Sequence, residues 1–137
     1  MYALVYVSSA TAPFTRAQLH ALLADSRQRN ARAGLTGLLL YKDGNLIQAL
    51  EGERAAVLGT FARIERDPRH RGLIVLLSGD QDGRRFPDWA MGFRDLAAVA
   101  DPPPGFSALM SAPFTGREFA ADPSRAERLL LSFKRSM

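Results

Sequence analysis

Residues 35–50 constrain this chain more than any other stretch. Leu35-Thr-Gly-Leu-Leu-Leu-Tyr41 and Leu46-Ile-Gln-Ala-Leu50 are two apolar runs of strand length, joined by Lys42-Asp-Gly-Asn45. An Asp-Gly turn accepts the positive φ angles of a tight hairpin, so the two runs are expected to pair antiparallel. Every other element has to be arranged around that hairpin.

Upstream, Tyr2-Ala-Leu-Val-Tyr-Val7 is β-branched and aromatic and ends in Ser8-Ser9, which predicts a strand. Thr15-Arg-Ala-Gln18 has the form of a capping box and opens a helix expected to run to about Asn30. Its apolar stripe passes through Leu19, Leu22 and Leu23, and Gly34 stops it. Downstream, Val57, Leu58, Phe61 and Ile64 repeat at helical spacing until Asp67-Pro68. Leu73-Ile-Val-Leu-Leu77 has the composition and length of a buried strand. Arg84 through Phe93 is a further strand candidate that would put Trp89, Met91 and Phe93 on one face.

The order is β-α-β-β-α-β-β, an α+β ferredoxin-like sandwich with one extra strand. With 137 residues the chain makes one compact domain. Residues 1–95 form its main body, and 96–137 read as a C-terminal helical cap of that domain. Pro102-Pro-Pro-Gly105 is a stiff turn within that cap. Asp122-Pro123 opens a last helix whose Ala126, Leu129, Leu130 and Phe133 would cover the sheet face left bare by the two main helices.

Composition excludes much chemistry. The chain has no cysteine and two histidines, His20 and His70, so disulfides, thiol nucleophiles and cysteine or histidine metal centres are not expected. The net charge of +4 is spread along the chain, which does not favour a nucleic-acid surface. Neither a leader nor a membrane-length apolar run is seen, and the expected setting is soluble and cytoplasmic. No phosphate-binding glycine loop, nucleophile elbow or metalloprotease motif occurs, so the chain is not expected to be an enzyme.

Three residues sit badly in a plain core. Gln48 lies mid-strand on the same face as Leu46 and Leu50, and a buried amide left unpaired costs about 1–3 kcal/mol per group. An edge strand that points Gln48 to water explains it equally well. The stripe of the first helix extends to Ser26 and Asn30, so its inward face turns polar, although a helix C-cap would also account for Asn30. Tyr6 shares a face with Leu4, and its hydroxyl needs a partner if buried. Arg63, Arg66, Asp67, Arg69, His70 and Arg71 cluster near the end of the second helix, where they complement the helix dipole or hold a polar ligand.

Leu4-Val-Tyr6-Val-Ser-Ser, Ser26-Arg-Gln-Arg-Asn30-Ala-Arg-Ala-Gly-Leu-Thr-Gly, Gln48-Ala-Leu-Glu-Gly52, Arg63-Ile-Glu-Arg-Asp67-Pro-Arg-His70 and Arg85-Phe-Pro-Asp-Trp89-Ala-Met91-Gly-Phe93 together resemble BLUF domains, the blue-light sensors that use FAD. The resemblance runs from residue 1 to about 95, in order and with family-like spacing. It implies that Tyr6 is the photoactive tyrosine, Gln48 the switching glutamine and Asn30 the residue that bonds the isoalloxazine edge. Trp89 and Met91 match the pair that exchanges in and out of the flavin pocket. Ser26, Arg63, Asp67, Arg69 and His70 fall where relatives hold or border the flavin. Leu46 and Arg29 depart from residues common in the family.

By the resemblance, the cofactor is non-covalent FAD, with FMN or riboflavin also accepted. Light moves an electron and then a proton from the tyrosine, and the glutamine rotates or tautomerises. Output would pass through contacts with an unidentified protein partner, since 96–137 leave no room for an effector domain, and short members of the family imply a homo-oligomer. Two alternatives come from other classes. A ferredoxin-like RNA-binding module needs exposed aromatics on a bare sheet face. A small acyl- or phosphate-ester hydrolase would use Arg and Asn to bind an anion.

Overall fold

The computed structural model describes residues 1–12, 14–42, 44–87, 90–95 and 130. β1 (Tyr2–Ala10), α1 (Arg16–Ala33), β2 (Thr36–Lys42), β3 (Asn45–Gly52), α2 (Arg54–Glu65), β4 (His70–Asp80) and β5 (Gly92–Asp95) follow in chain order. One sheet has the order β4-β1-β3-β2-β5. Its first four strands are antiparallel, and β5 adds to β2 in parallel. This is the expected ferredoxin-like α+β arrangement.

The hairpin of β2 and β3 forms in register from Thr36 opposite Glu51 to Lys42 opposite Asn45. Every residue of β3 is buried, because β1 covers its other edge from Tyr2 opposite Gly52 to Ser9 opposite Asn45. Both helices pack on one sheet face. Leu19 and Leu23 of α1 and Val57 and Phe61 of α2 join Leu4, Tyr6, Leu39, Leu46 and Leu50 in a single cluster. The capping box forms as predicted: Gln18 N–H donates to Thr15 Oγ1 at 3.1 Å, and Thr15 N–H to Gln18 Oε1 at 2.8 Å. α1 runs to Ala33, three residues beyond the expected end, and Gly34, with a φ of 72°, closes it in the left-handed conformation.

Two strands differ from expectation. β4 is an edge strand, bonded among the described residues to β1 alone, and its Val75 is 44% exposed. Its apolar run therefore supports one sheet face and is not enclosed on both. β5 is only four residues long, and the described residues of the stretch before it, 84–87 and 90–91, are in no strand. The reason is Glu51. The Arg85 and Phe86 amides donate to its carboxylate at 2.8 and 2.7 Å instead of entering a ladder, and Pro87 has no amide hydrogen.

Glu51 is 2% exposed and also accepts from Thr36 Oγ1 and Gln81 Nε2 at 2.8 and 2.9 Å. Arg84 completes the arrangement with bonds to Thr36 Oγ1, the Glu51 carbonyl and the Gly34 carbonyl. A buried carboxylate so surrounded is stable, because each lone pair meets a fixed donor. The chain after β4 is thereby tied to the end of β3 at Arg85 and Phe86.

The predicted C-terminal helix lies outside the described residues except for Leu130. Leu130 is helical and buried, and borders a cavity with Ala3, Val5, Ala49 and Leu77 on the sheet face opposite α1 and α2. Among the described residues, no helix is long and apolar enough to cross a membrane. Glu51→Ala should strand its donors and destabilise the fold by about 2–5 kcal/mol. A lowered denaturant midpoint at unchanged slope would show it, and an unchanged midpoint would refute the role given to Glu51.

Candidate functional site

The sheet register generates the site. Tyr6 on β1 stands directly opposite Gln48 on β3, and Gln48 in turn opposes Leu39 on β2. Both side chains point to the helix-covered face, where Tyr6 is 3% and Gln48 7% exposed. Tyr6 Oη donates to Gln48 Oε1. Gln48 is thus on the strand buried between β1 and β2, and the edge-strand explanation fails. Its Nε2 group points to Met91 Sδ at 3.5 Å, a weak acceptor.

Two adjoining cavities of ≈ 460 and ≈ 470 Å³ open on this pair between α1 and α2. They share Leu22, Ser26, Gln48, Ile64, Asp67 and Arg69, and so form one slot. Leu22, Leu39, Leu46 and Ile64 give it apolar walls. A larger cavity of ≈ 680 Å³ lies on the opposite face. Its buried carboxylate, Glu51, is already held by four donors.

All the predicted cofactor residues border the slot. Tyr6 and His70 lie on one part, Asn30 and Arg63 on the other, and Ser26, Gln48, Asp67 and Arg69 on both. Asn30 is buried three residues inside α1, so it is no C-cap, and its Nδ2 donates to the Ala90 carbonyl at 2.8 Å. His70 bridges two elements. Its Nε2 donates to the Ile64 carbonyl at 2.6 Å, and its Nδ1 meets Ser8 Oγ at 2.9 Å. The ring also stands edge-on to Tyr6, with centroids 6.4 Å apart.

Asp67 and Arg69 pair at the mouth, with Arg69 Nε 2.9 Å from both carboxylate oxygens. That bond holds the Asp67 carboxyl below its ordinary range despite partial burial. Arg69 correspondingly keeps its proton more firmly.

Trp89 lies outside the described residues. Met91 is 2% exposed and stands against Gln48, but from a loop, so the expected strand alternation is not what brings it there. Arg27 went unpredicted: its Nε donates to the Met91 carbonyl at 2.9 Å. No periodicity marks it, because it lies beside the apolar stripe and its partner is sixty-four residues away. Tyr6 and Tyr41 lie buried on the helix-covered face, packed with the α1 and α2 side chains. Among the described residues no cluster of side chains could hold a metal ion.

A flat polar heterocycle fits this slot: apolar walls, a buried amide whose NH₂ finds only sulfur among the described residues, and polar groups at the rim. The fold and site therefore define a small α+β ligand-binding domain with a buried phenol–amide pair at the bottom of its cleft. The family model described as "Sensors of blue-light using FAD" matches residues 1–92. This chain belongs to that BLUF family, whose domains bind flavin and sense blue light.

Relatives agree. The chain is 33% identical over 102 residues to photoactivated adenylate cyclase subunit beta of Euglena longa, and 34% identical over the same length to that of Euglena gracilis. The match covers 74% of this chain and 12% of each relative, so it spans about an eighth of their length. The dark-state structure of the BLUF protein BlrB matches with a TM-score of 0.78 at 30% identity, covering 99% of this chain and 96% of that one. Klebsiella pneumoniae BlrP1, solved with FMN and cyclic diGMP, matches with a TM-score of 0.69 at 30% identity, covering 90% and 35%. In several of these proteins the matched region is a fraction of a longer chain.

Burial, reinforced by the charge of Asp67, raises the Tyr6 phenol well above its ordinary value of 10.0. The folded state then holds a proton that the unfolded state releases, so stability falls as pH rises from about 10 towards the folded value. Chemical denaturation at increasing alkaline pH should show this loss. Tyr6→Phe should lessen it, and an identical pH slope in the two proteins would contradict the assignment.

Proposed function

We propose that this chain senses blue light through Tyr6 and Gln48, with a flavin held non-covalently between α1 and α2. The observation that carries the reading is the buried bond from Tyr6 Oη to Gln48 Oε1, with the amide nitrogen of Gln48 left to a sulfur. A flavin bound in the slot would supply absorption of blue light and an electron acceptor. The other steps belong to the chain's own residues.

Tyr6 supplies an electron and then the proton at Oη. Its environment keeps that proton in place in the dark, since burial disfavours the phenolate. Gln48 rotates or tautomerises in response. Either change exchanges donor for acceptor at both ends of one amide, and so alters the hydrogen bond offered to Tyr6 and to the ligand. Apolar walls exclude water, which strengthens each of those bonds.

Asn30 and Ser26 from α1 would hold the ligand's polar edge, while Arg63, Asp67, Arg69 and His70 would border it from the end of α2. Met91 belongs to the switch as a direct neighbour of Gln48, and Trp89 joins it by family position. FAD is the expected cofactor. FMN, bound in the BlrP1 structure, and riboflavin would share the same ring contacts. We take 1–95 as the flavin-binding unit and 96–137 as its cap. The protein acts without turnover, in the cytoplasm, as a homo-oligomer that signals through contacts with a partner protein.

Purified protein should carry flavin and show a reversible red shift under blue light. A protein that takes up no flavin from solution would end this reading. Tyr6→Phe and Gln48→Leu should each retain flavin and lose the normal shift. A normal photocycle in both variants would remove these two residues from the mechanism while leaving flavin binding intact.

A further inference from the structure

Met91 reaches Gln48 from a segment that no strand holds. The parallel ladder of β5 on β2 begins at Gly92 opposite Leu38, one residue too late to fix residue 91. What fixes it comes from α1. Arg27 Nε donates to the Met91 carbonyl at 2.9 Å, and Asn30 Nδ2 donates to the neighbouring Ala90 carbonyl at 2.8 Å. Residues three apart lie on one helix face, so two adjacent carbonyls are gripped by one turn of helix. Gly37 lies beside the Met91 methyl: a Cβ there would run into the Ala49 carbonyl oxygen and stand 3.3 Å from that methyl.

We propose that Arg27 is a positioning residue that, together with Asn30, latches the 90–91 backbone to α1 and so fixes the Met91 thioether against Gln48. Only its effect on the photocycle rests on the function proposed above. A thioether accepts a weak hydrogen bond and has no proton to donate. With Nε2 towards the sulfur, as observed, the contact is favourable. With Oε1 towards the sulfur, two acceptors would face each other. Holding the sulfur in place therefore favours the amide orientation seen here over the exchanged one.

Side-chain length supplies the test. Arg27→Gln puts an amide NH₂ at the same point along the side chain as the arginine Nε, whereas Arg27→Met keeps the length and removes the donor. Backbone hydrogen exchange is measured on the full chain, and dark recovery after blue light is followed on flavin-loaded protein. Arg27→Met should speed exchange in residues 90–95 roughly tenfold, the weight of one charge-assisted hydrogen bond, with β1 and β3 unaffected. Arg27→Gln, which keeps a neutral donor at that point, should fall between Arg27→Met and the parent. Recovery should slow several-fold in Arg27→Met and return towards the parent rate in Arg27→Gln.

Unchanged exchange in Arg27→Met, or equal loosening in both variants, would overturn the latch. Altered exchange with recovery unchanged or faster would overturn its proposed bias on Gln48. If exchange responds as expected but the parent protein shows no light-induced shift, the latch stands and the photoreceptor reading falls.

Discussion

The antiparallel register of β1 on β3 is the constraint on which the site depends. It sets Tyr6 opposite Gln48 with both side chains on the helix-covered face. A slip of one residue would send Gln48 to the other side of the sheet and bring Ile47 or Ala49 into the slot. The burial of β3 along its whole length guards against that slip. The phenol–amide bond is thus a consequence of strand pairing, and the helices have only to cover it.

Glu51 binds the two faces of the sheet into one unit. It lies three residues from Gln48 on the same strand and points to the opposite side. There its carboxylate takes the Arg85 and Phe86 amides. The chain then returns to the upper face, where Arg27 and Asn30 receive it at residues 90 and 91. Gln48 and Met91 meet because both ends of this connector are anchored, although more than forty residues separate them.

Local patterns made most of this legible. Period-two alternation, the Asp-Gly turn and the Thr15–Gln18 capping box are short-range signals, and the elements they mark appear within a few residues of expectation. Gln48, Tyr6 and Asn30 stood out because polar groups interrupt apolar faces. The stretch 84–91 was illegible for the opposite reason. Its apolar alternation imitates a strand, but its amides are claimed by a carboxylate more than thirty residues away. Arg27 was hidden similarly, as a cation among other cations on a helix flank. The apolar run of β4 did not reveal its place in the sheet, because composition records burial on a face and not the presence of a neighbour on each side.

That outer strand has a further consequence. An eleven-residue strand with one margin unpaired among the described residues is the kind of edge on which another chain could polymerise. The pairing of β4 with β1 is interrupted twice, between Val5 and Tyr6 and between Val7 and Ser9. Such bulges bend a strand and increase its local twist, which spoils the flat, evenly spaced edge that amyloid-like stacking requires. The irregularity beside Tyr6 thus also protects against aggregation, and smoothing it to a perfect ladder would trade solubility for regularity.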